Sequence, residues 1–411
     1  MTIPRELVEP LIKIALLIGG LMTAAAYFVL LERRMAAWVQ DRVGPNRVGI
    51  PLTKIRLWGL GQPLADGVKF IFKEEYTPAH VDKRLFILAP ISILVAALAV
   101  FAVIPFGSVL PPIEGVEGPI RLIVAPGVDV GMIYVFALSS IAVYGVVLGG
   151  WASNNKYSFL GGLRSSAQLI AYELPMGLGL LGVTLAAGGS LDLEVIIREQ
   201  ARSGIWFAIA QPLGFIVFVV AAFAEAARLP FDLPECEQEL IGGYHTEYSG
   251  IKLLLFLVAE FLHMITASFL IVILFLGGWH FWGLTGSDDQ VTWVGAVLRI
   301  AILTTKIVLV ILFFMLTRWS WPRFRFDQLM ALAWKIMLPL GLANLVVVAT
   351  LYEVRAIADP KSTSRMWDLG MMAVTWGTCL VGWLLVAYSG TLVTDNRPRR
   401  NLREYEIDAQ L

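Results

Sequence analysis

Nine apolar stretches of about 20 residues each leave this chain few choices of fold. A helix of that length crosses the roughly 30 Å hydrocarbon core of a bilayer. Only helices and closed barrels satisfy every backbone N–H and C=O at that depth. The runs lie at roughly 11–31, 85–105, 130–150, 167–187, 206–227, 253–276, 299–318, 333–353 and 370–390. An all-α polytopic membrane protein is expected, with about nine transmembrane helices: an eight-helix core plus one C-terminal helix. Composition agrees, since 57% of the 411 residues are hydrophobic and 16% charged, against about 25% charged in a soluble domain. The first run is long enough to span and reads as a retained helix rather than a cleaved signal.

The connections set the orientation. The first, third, fifth and seventh loops and the C-terminal tail hold most of the 32 Lys and Arg residues. Positive loops stay inside, which puts the N-terminus outside and the C-terminus inside. Within the first inner loop, Leu64, Val68, Ile71 and Phe72 recur at helical spacing among Asp66, Lys69 and Lys73. That pattern is an amphipathic helix suited to the membrane interface. A net charge of zero argues against a nucleic-acid partner. Cys236 and Cys379 are the only cysteines, whereas an iron–sulfur cluster typically takes four thiolates. No redox centre, bound metal or structural disulfide is expected in this chain.

Ionisable residues within spans are expensive and mark functional sites by default. Glu173 stands six residues into the fourth run and Glu260 about seven into the sixth, roughly 9–10 Å from the inner end by helical rise. Glu225 lies near the inner end of the fifth run, and Arg228 follows one turn later on the expected same face. Pro230 and Pro234 then forbid a simple helix, and Glu235, Glu237 and Glu239 crowd behind them. Three carboxylates on three helices, joined to an acidic proline-broken loop, read as a proton-handling junction. Salt bridges or snorkelling end groups are the bland alternative. Lys306, midway along the seventh run, serves either a structural pair or a proton relay. Arg318, Arg323, Arg325 and Asp327 at its inner end read as a solvated or partner-binding surface. Gly177-Leu-Gly-Leu-Leu-Gly182 matches a dinucleotide fingerprint by letter but follows no strand, so close helix packing is expected. Glu260-Phe-Leu-His263 is a single Glu-x-x-His, where a di-iron bundle needs two.

Several longer stretches resemble one family. They are Glu32-Arg-Arg34, Gln40-Asp-Arg-Val-Gly-Pro-Asn-Arg-Val-Gly49, Gln62-Pro-Leu-Ala-Asp-Gly-Val-Lys69, Lys73-Glu-Glu75 and Ala171-Tyr-Glu-Leu-Pro175. Further on come Pro230-Phe-Asp-Leu-Pro-Glu235, Gly243-Tyr-His-Thr-Glu-Tyr-Ser249, Pro322-Arg-Phe-Arg-Phe-Asp-Gln-Leu-Met330 and Trp334-Lys335. The chain resembles the H subunits of bacterial NADH-quinone oxidoreductase, homologues of subunit 1 of mitochondrial respiratory complex I. The resemblance implies a multi-pass subunit of a bacterial inner membrane that walls a quinone chamber and carries no redox cofactor. Quinone would be the substrate, with NADH and iron–sulfur clusters in partner subunits. Implied partners are two peripheral subunits, one with the terminal iron–sulfur cluster, small membrane subunits and antiporter-like subunits. By position, Glu173, Glu225 and Glu260 would be the intramembrane acids, and Glu235, Glu237 and Glu239 the coupling-loop acids. Glu32, Arg33, Arg42, Asp66, Glu74 and Glu75 would lie near the quinone passage, which Val68 and Phe72 of the amphipathic segment would border. Residues 1–355 would form the quinone and proton-path core, and 356–411 an added helix and basic tail. Two rival classes stay open: the membrane anchor of a related hydrogenase, which needs no quinone, and an independent proton-coupled transporter.

Overall fold

The computed structural model describes residues 5–49, 56–111, 120–232, 237–285, 292–358 and 365–389. Helix α1 (Arg5–Val39) is followed by α2 (Gln62–Phe72), α3 (Lys83–Ala99) and a short antiparallel pair, β1 (Val109–Leu110) with β2 (Ile120–Arg121). Next come α4 (Gly131–Ala152), α5 (Lys156–Ala186), α6 (Leu193–Ser203), α7 (Phe207–Ala210), α8 (Pro212–Glu225) and α9 (Glu237–Leu240). The chain continues with α10 (Gly250–Phe275), α11 (Trp293–Ser320), α12 (Phe326–Ala331), a π-helical turn (Leu332–Met337), α13 (Leu338–Ala358) and α14 (Arg365–Ser389). Among the described residues, eight helical stretches are long and apolar enough to cross a membrane.

The fifth expected span is built differently. Residues 206–227 form no single helix: α7 ends at Ala210, Gln211 takes φ −135 and ψ 68, and α8 runs for only 14 residues. Pro212 causes the break. Its ring drives the preceding residue out of the helical region, and it brings no N–H. The fourth span departs the other way, starting at Lys156 rather than near 167. Asn155 caps it by accepting from the Tyr157 N–H at 2.9 Å. Gly161 and Gly162 do not interrupt it, because their bare backbones let neighbours close in. A Cβ at Gly161 would lie 2.6 Å from Gly243 Cα, and one at Gly162 3.4 Å from Gly150 Cα. Glu173 consequently sits deep within α5 instead of near its start.

Helix α10 is the hub. It packs against α1, α3 and α11, while α5 packs against α8 and α13. Every residue of α10 from Met264 to Phe275 is buried, as an all-round apolar helix requires. Lipid tails are as apolar as leucine, so close packing rather than water exclusion holds such helices together. The Gly177–Gly182 stretch does this work on α5: a Cβ at Gly179 would meet Gly214 O at 3.1 Å, and one at Gly182 would meet Gln211 Oε1 at 2.6 Å. Helix α2 lies against α1 and α10 yet has no buried residue. Its apolar side chains Leu64, Val68, Ile71 and Phe72 are all exposed.

Candidate functional site

Where α8 ends, the chain turns sharply. Ala227 adopts a left-handed φ of 48, and Arg228 leaves the helix that carries Glu225. The expected pairing of Glu225 and Arg228 on one helix face therefore does not form. Arg228, 5% exposed, instead reaches two other carboxylates. Its Nη1 donates to Glu32 Oε2 at 3.0 Å and Oε1 at 3.2 Å, and its Nε lies 3.0 Å from Glu260 Oε1. The guanidinium also rests 4.4 Å from the ring centre of Phe261, a cation–π contact that strengthens away from water. Arg318 in the last turn of α11 donates to Glu32 as well. Two helices far apart in sequence, α1 and α10, thus converge on one buried arginine, and α11 joins them through Glu32.

Next to this lies Asp232, whose Oδ2 accepts from Arg323 Nη2 at 3.4 Å. Burial pushes the Asp232 carboxyl up to about 7, the Glu260 carboxylate adds to the rise, and Arg323 and Arg228 oppose it. Arg318 and Arg323 are thus partners of buried acids rather than a solvated surface. Arg325 and Asp327 do stay exposed, 3.3 Å apart. Gln168 on α5, 1% exposed, ties the two halves of the turn together. Its Nε2 donates to the carbonyls of Ala224 and Phe231, both at 2.9 Å. Phe231 stacks on Phe324 and tilts against Tyr172, and the Tyr172 hydroxyl donates to Leu329 O at 2.9 Å. The π-helical turn begins three residues beyond Leu329, and such turns often mark functional positions.

Two of the intramembrane acids meet at a cavity of about 50 Å³, lined by Glu225, Glu260, His263, Ser139, Ser165 and Tyr244 among others. That volume has room for on the order of three waters. Ser139 donates a hydrogen bond to Glu225, and Glu173 lies within electrostatic reach of it. Ser140 in turn donates to Glu173. Glu225 and Glu260 therefore line one cavity, and Glu173 adjoins it through the serines of α4. Nearby His245 is held neutral, because burial pushes its imidazole down to about 4.

The remaining expected residues separate into groups. Arg33 Nη1 pairs with Asp66 Oδ2 at 2.8 Å, and Gln62 Nε2 donates to the other oxygen of Asp66 at 2.9 Å, which fastens α2 to α1. Glu75 lies 3.8 Å from Lys252; Glu74 and Phe72 are exposed, as is Arg42, which donates to Gln40. Glu239 is exposed and bonds Arg164 at 2.6 Å. Glu235 lies outside the described residues, as does the side chain of Glu237. Lys306 is not brought to the acids. Its ammonium donates to the carbonyls of Leu276, Gly278 and His280 at 2.6, 2.9 and 2.7 Å and sits over the Trp206 ring. Among the described residues, no group of three His, Cys, Asp or Glu could hold a metal ion.

Asp232, Gln168, Tyr172, Ser139, Ser140, Arg318 and Arg323 were not singled out as site residues from the sequence. Gln168 and Tyr172 did carry a signal, as polar side chains inside an apolar run.

A family model described as NADH dehydrogenase matches residues 12–349. The chain is 46% identical over 345 residues to an H subunit of NADH-quinone oxidoreductase from Geobacter metallireducens, covering 84% of this chain and 97% of that one. It is 43% identical over 350 residues to an H subunit of NADH-quinone oxidoreductase from Cytophaga hutchinsonii, covering 84% and 98%. Identity to the corresponding H subunit of Leptospira biflexa is 44% over 353 residues, covering 84% and 94%. The matched region takes in the whole buried network from Glu32 to Arg323, and the chain belongs to the NADH dehydrogenase family, among the H subunits of NADH-quinone oxidoreductase.

Proposed function

We propose that this chain is the membrane subunit of a proton-translocating NADH-quinone oxidoreductase, walling the quinone chamber and coupling quinone reduction to proton transfer through buried carboxylates. The observation that carries the reading is Arg228 held between Glu32 and Glu260. Reducing a quinone to its quinol takes up two electrons and two protons, so charge and proton demand change at the chamber. A coupling element needs two arrangements that both sites can bias. An arginine shared by two carboxylates has them: a proton gained by Glu32 frees Arg228 to favour ionised Glu260, and a proton gained by Glu260 does the reverse. At an effective dielectric near 20, charges about 6 Å apart interact by roughly 3 kcal/mol, or about two units of pKa. Glu260 faces the chamber of Glu225, so the bias passes on to Glu225 and Glu173. Tyr172, Phe231 and Phe324 keep the loop in register with α12 during this exchange.

The quinone passage is assigned to the inner ends of α1, α10 and α11, with α2 along its border. Arg33–Asp66 holds α2 in place while Val68 and Phe72 present an apolar edge to a hydrophobic tail. On this reading the N-terminus lies outside and the C-terminus inside a bacterial inner membrane. The electron donor chemistry, NADH and iron–sulfur clusters, belongs to peripheral subunits on the inner face. Small membrane subunits and antiporter-like subunits adjoin laterally, and the connection that carries the loop acids Glu235, Glu237 and Glu239 is an inner one.

Quinone-dependent turnover of the native assembly tests the proposal, with long- and short-tailed quinones compared in wild type and Phe72→Arg. A hydrogenase anchor would show no quinone dependence. Phe72→Arg should slow the long-tailed substrate several-fold more than the short one. Equal loss for both would remove α2 from the passage.

A further inference from the structure

Helix α7 ends at Ala210, and the last carbonyls of a helix have no partner of their own. Inside a bilayer such groups are tolerated only where protein covers them. The cover here is α14. Thr375 Oγ1 donates to Ala210 O at 2.7 Å, and Trp376 Nε1 donates to Ile209 O at 3.0 Å. Thr375 is 4% exposed on a helix whose other described side chains are mostly open. Gly382 sets the approach to α13, since a Cβ there would lie 2.9 Å from Leu340 Cδ2. Across the α13–α14 connection Arg355 pairs with Asp368 at 2.9 Å. Leu369, Leu380, Trp383, Leu384 and Leu385 remain exposed, as befits an outward surface in hydrocarbon.

The family match stops at residue 349, ahead of α14. The Geobacter metallireducens and Cytophaga hutchinsonii relatives are covered to 97% and 98% of their length, which leaves too little of either to supply a 25-residue helix. We propose that α14 is this chain's own occupant of the face formed by α7, α8 and α13, a clamp that seals the helix break at Gln211–Pro212 against lipid and fixes the span carrying Glu225. No separate subunit covers that face. The clamp stands whether or not Glu225 handles protons, and its test is read without activity.

The test uses the assembled complex in lipid nanodiscs. The double variant Thr375→Val, Trp376→Phe removes both donors while keeping a branched side chain at 375 and an aromatic ring at 376. Two hydrogen bonds of intramembrane strength correspond to roughly tenfold faster amide exchange at residues 213–216, and Thr375→Ser should exchange like wild type. A photoreactive Met372→benzoylphenylalanine, on the face of α14 that shares a cavity with Phe207, Ala210 and Gln211, should crosslink to α7 or Gln211 within the same chain. Wild-type exchange in the double variant would overturn the proposal, and so would crosslinking of position 372 to lipid or another subunit.

Discussion

Arg228 and Lys306 are both buried cations in a membrane protein, and their surroundings differ. Lys306 donates to three carbonyls that follow α10 and rests against aromatic rings. Those partners are dipoles of fixed strength, so nothing about them changes with proton supply. Arg228 is shared by Glu32 and Glu260, whose charges do change. On the proposed reading, the cation bound by dipoles locks the structure, whereas the cation bound by acids registers their protonation.

The widest separation between the two sites should come from removing each charge while keeping volume. Breaking a buried ion pair costs about 3–5 kcal/mol, so Arg228→Met should lower quinone-linked turnover by at least about two orders of magnitude while NADH oxidation by an artificial acceptor persists. Lys306→Met leaves carbonyls unsatisfied, at about 1–3 kcal/mol each. It should lower the melting temperature yet keep turnover per assembled complex within about twofold of wild type. Equal losses of turnover would erase the distinction. Gln168→Met comes next. It removes two hydrogen bonds of about 1 kcal/mol each between the end of α8 and the turn, and turnover should fall roughly three- to tenfold. Protons moved per electron should fall as well, a change that a merely less stable complex would not show.

Asp232→Asn should have the smallest effect on rate but a distinct one on pH dependence. With its carboxyl raised to about 7, Asp232 ionises as pH rises through neutrality, and the asparagine variant cannot. Turnover between pH 6 and 8 should bend in wild type and lie flatter in the variant; an unchanged bend would assign it to another group. The folded carboxyl also holds its proton more tightly than the unfolded one, with its ordinary value of 3.8. Its contribution to stability is therefore full below about pH 4 and lost as pH rises to about 7.

Much of this was legible in the sequence where one physical signal dominated. Apolar run length gave the eight long spans, and spacing gave α2. Glu225 and Glu260 share a cavity, as buried acids on separate helices suggested. What stayed hidden depended on the backbone or on distant partners. Pro212 signalled a break within 206–227, but a generic span length masked it. Gly161 and Gly162 read as loop because glycines permit both turns and close packing, and only Gly150 and Gly243 across the contact decide which. Arg228 shared a helical face with Glu225 by spacing, until Ala227 turned the chain away. Arg318 and Arg323 sat at a helix end, where water is the usual partner, and their acids lie far away in sequence.

The most direct test of the shared-arginine account is an infrared difference spectrum of the assembled complex, recorded between oxidised and reduced quinone. A protonated carboxyl has a carbonyl stretch that an ionised one lacks, so proton exchange by buried acids appears as bands in that region. The account predicts such bands in wild type and in Lys306→Met, with part of the signal lost in Glu260→Gln and in Glu225→Gln. An unchanged carboxyl signal in both glutamine variants, with the complex assembled and turning over, would contradict it.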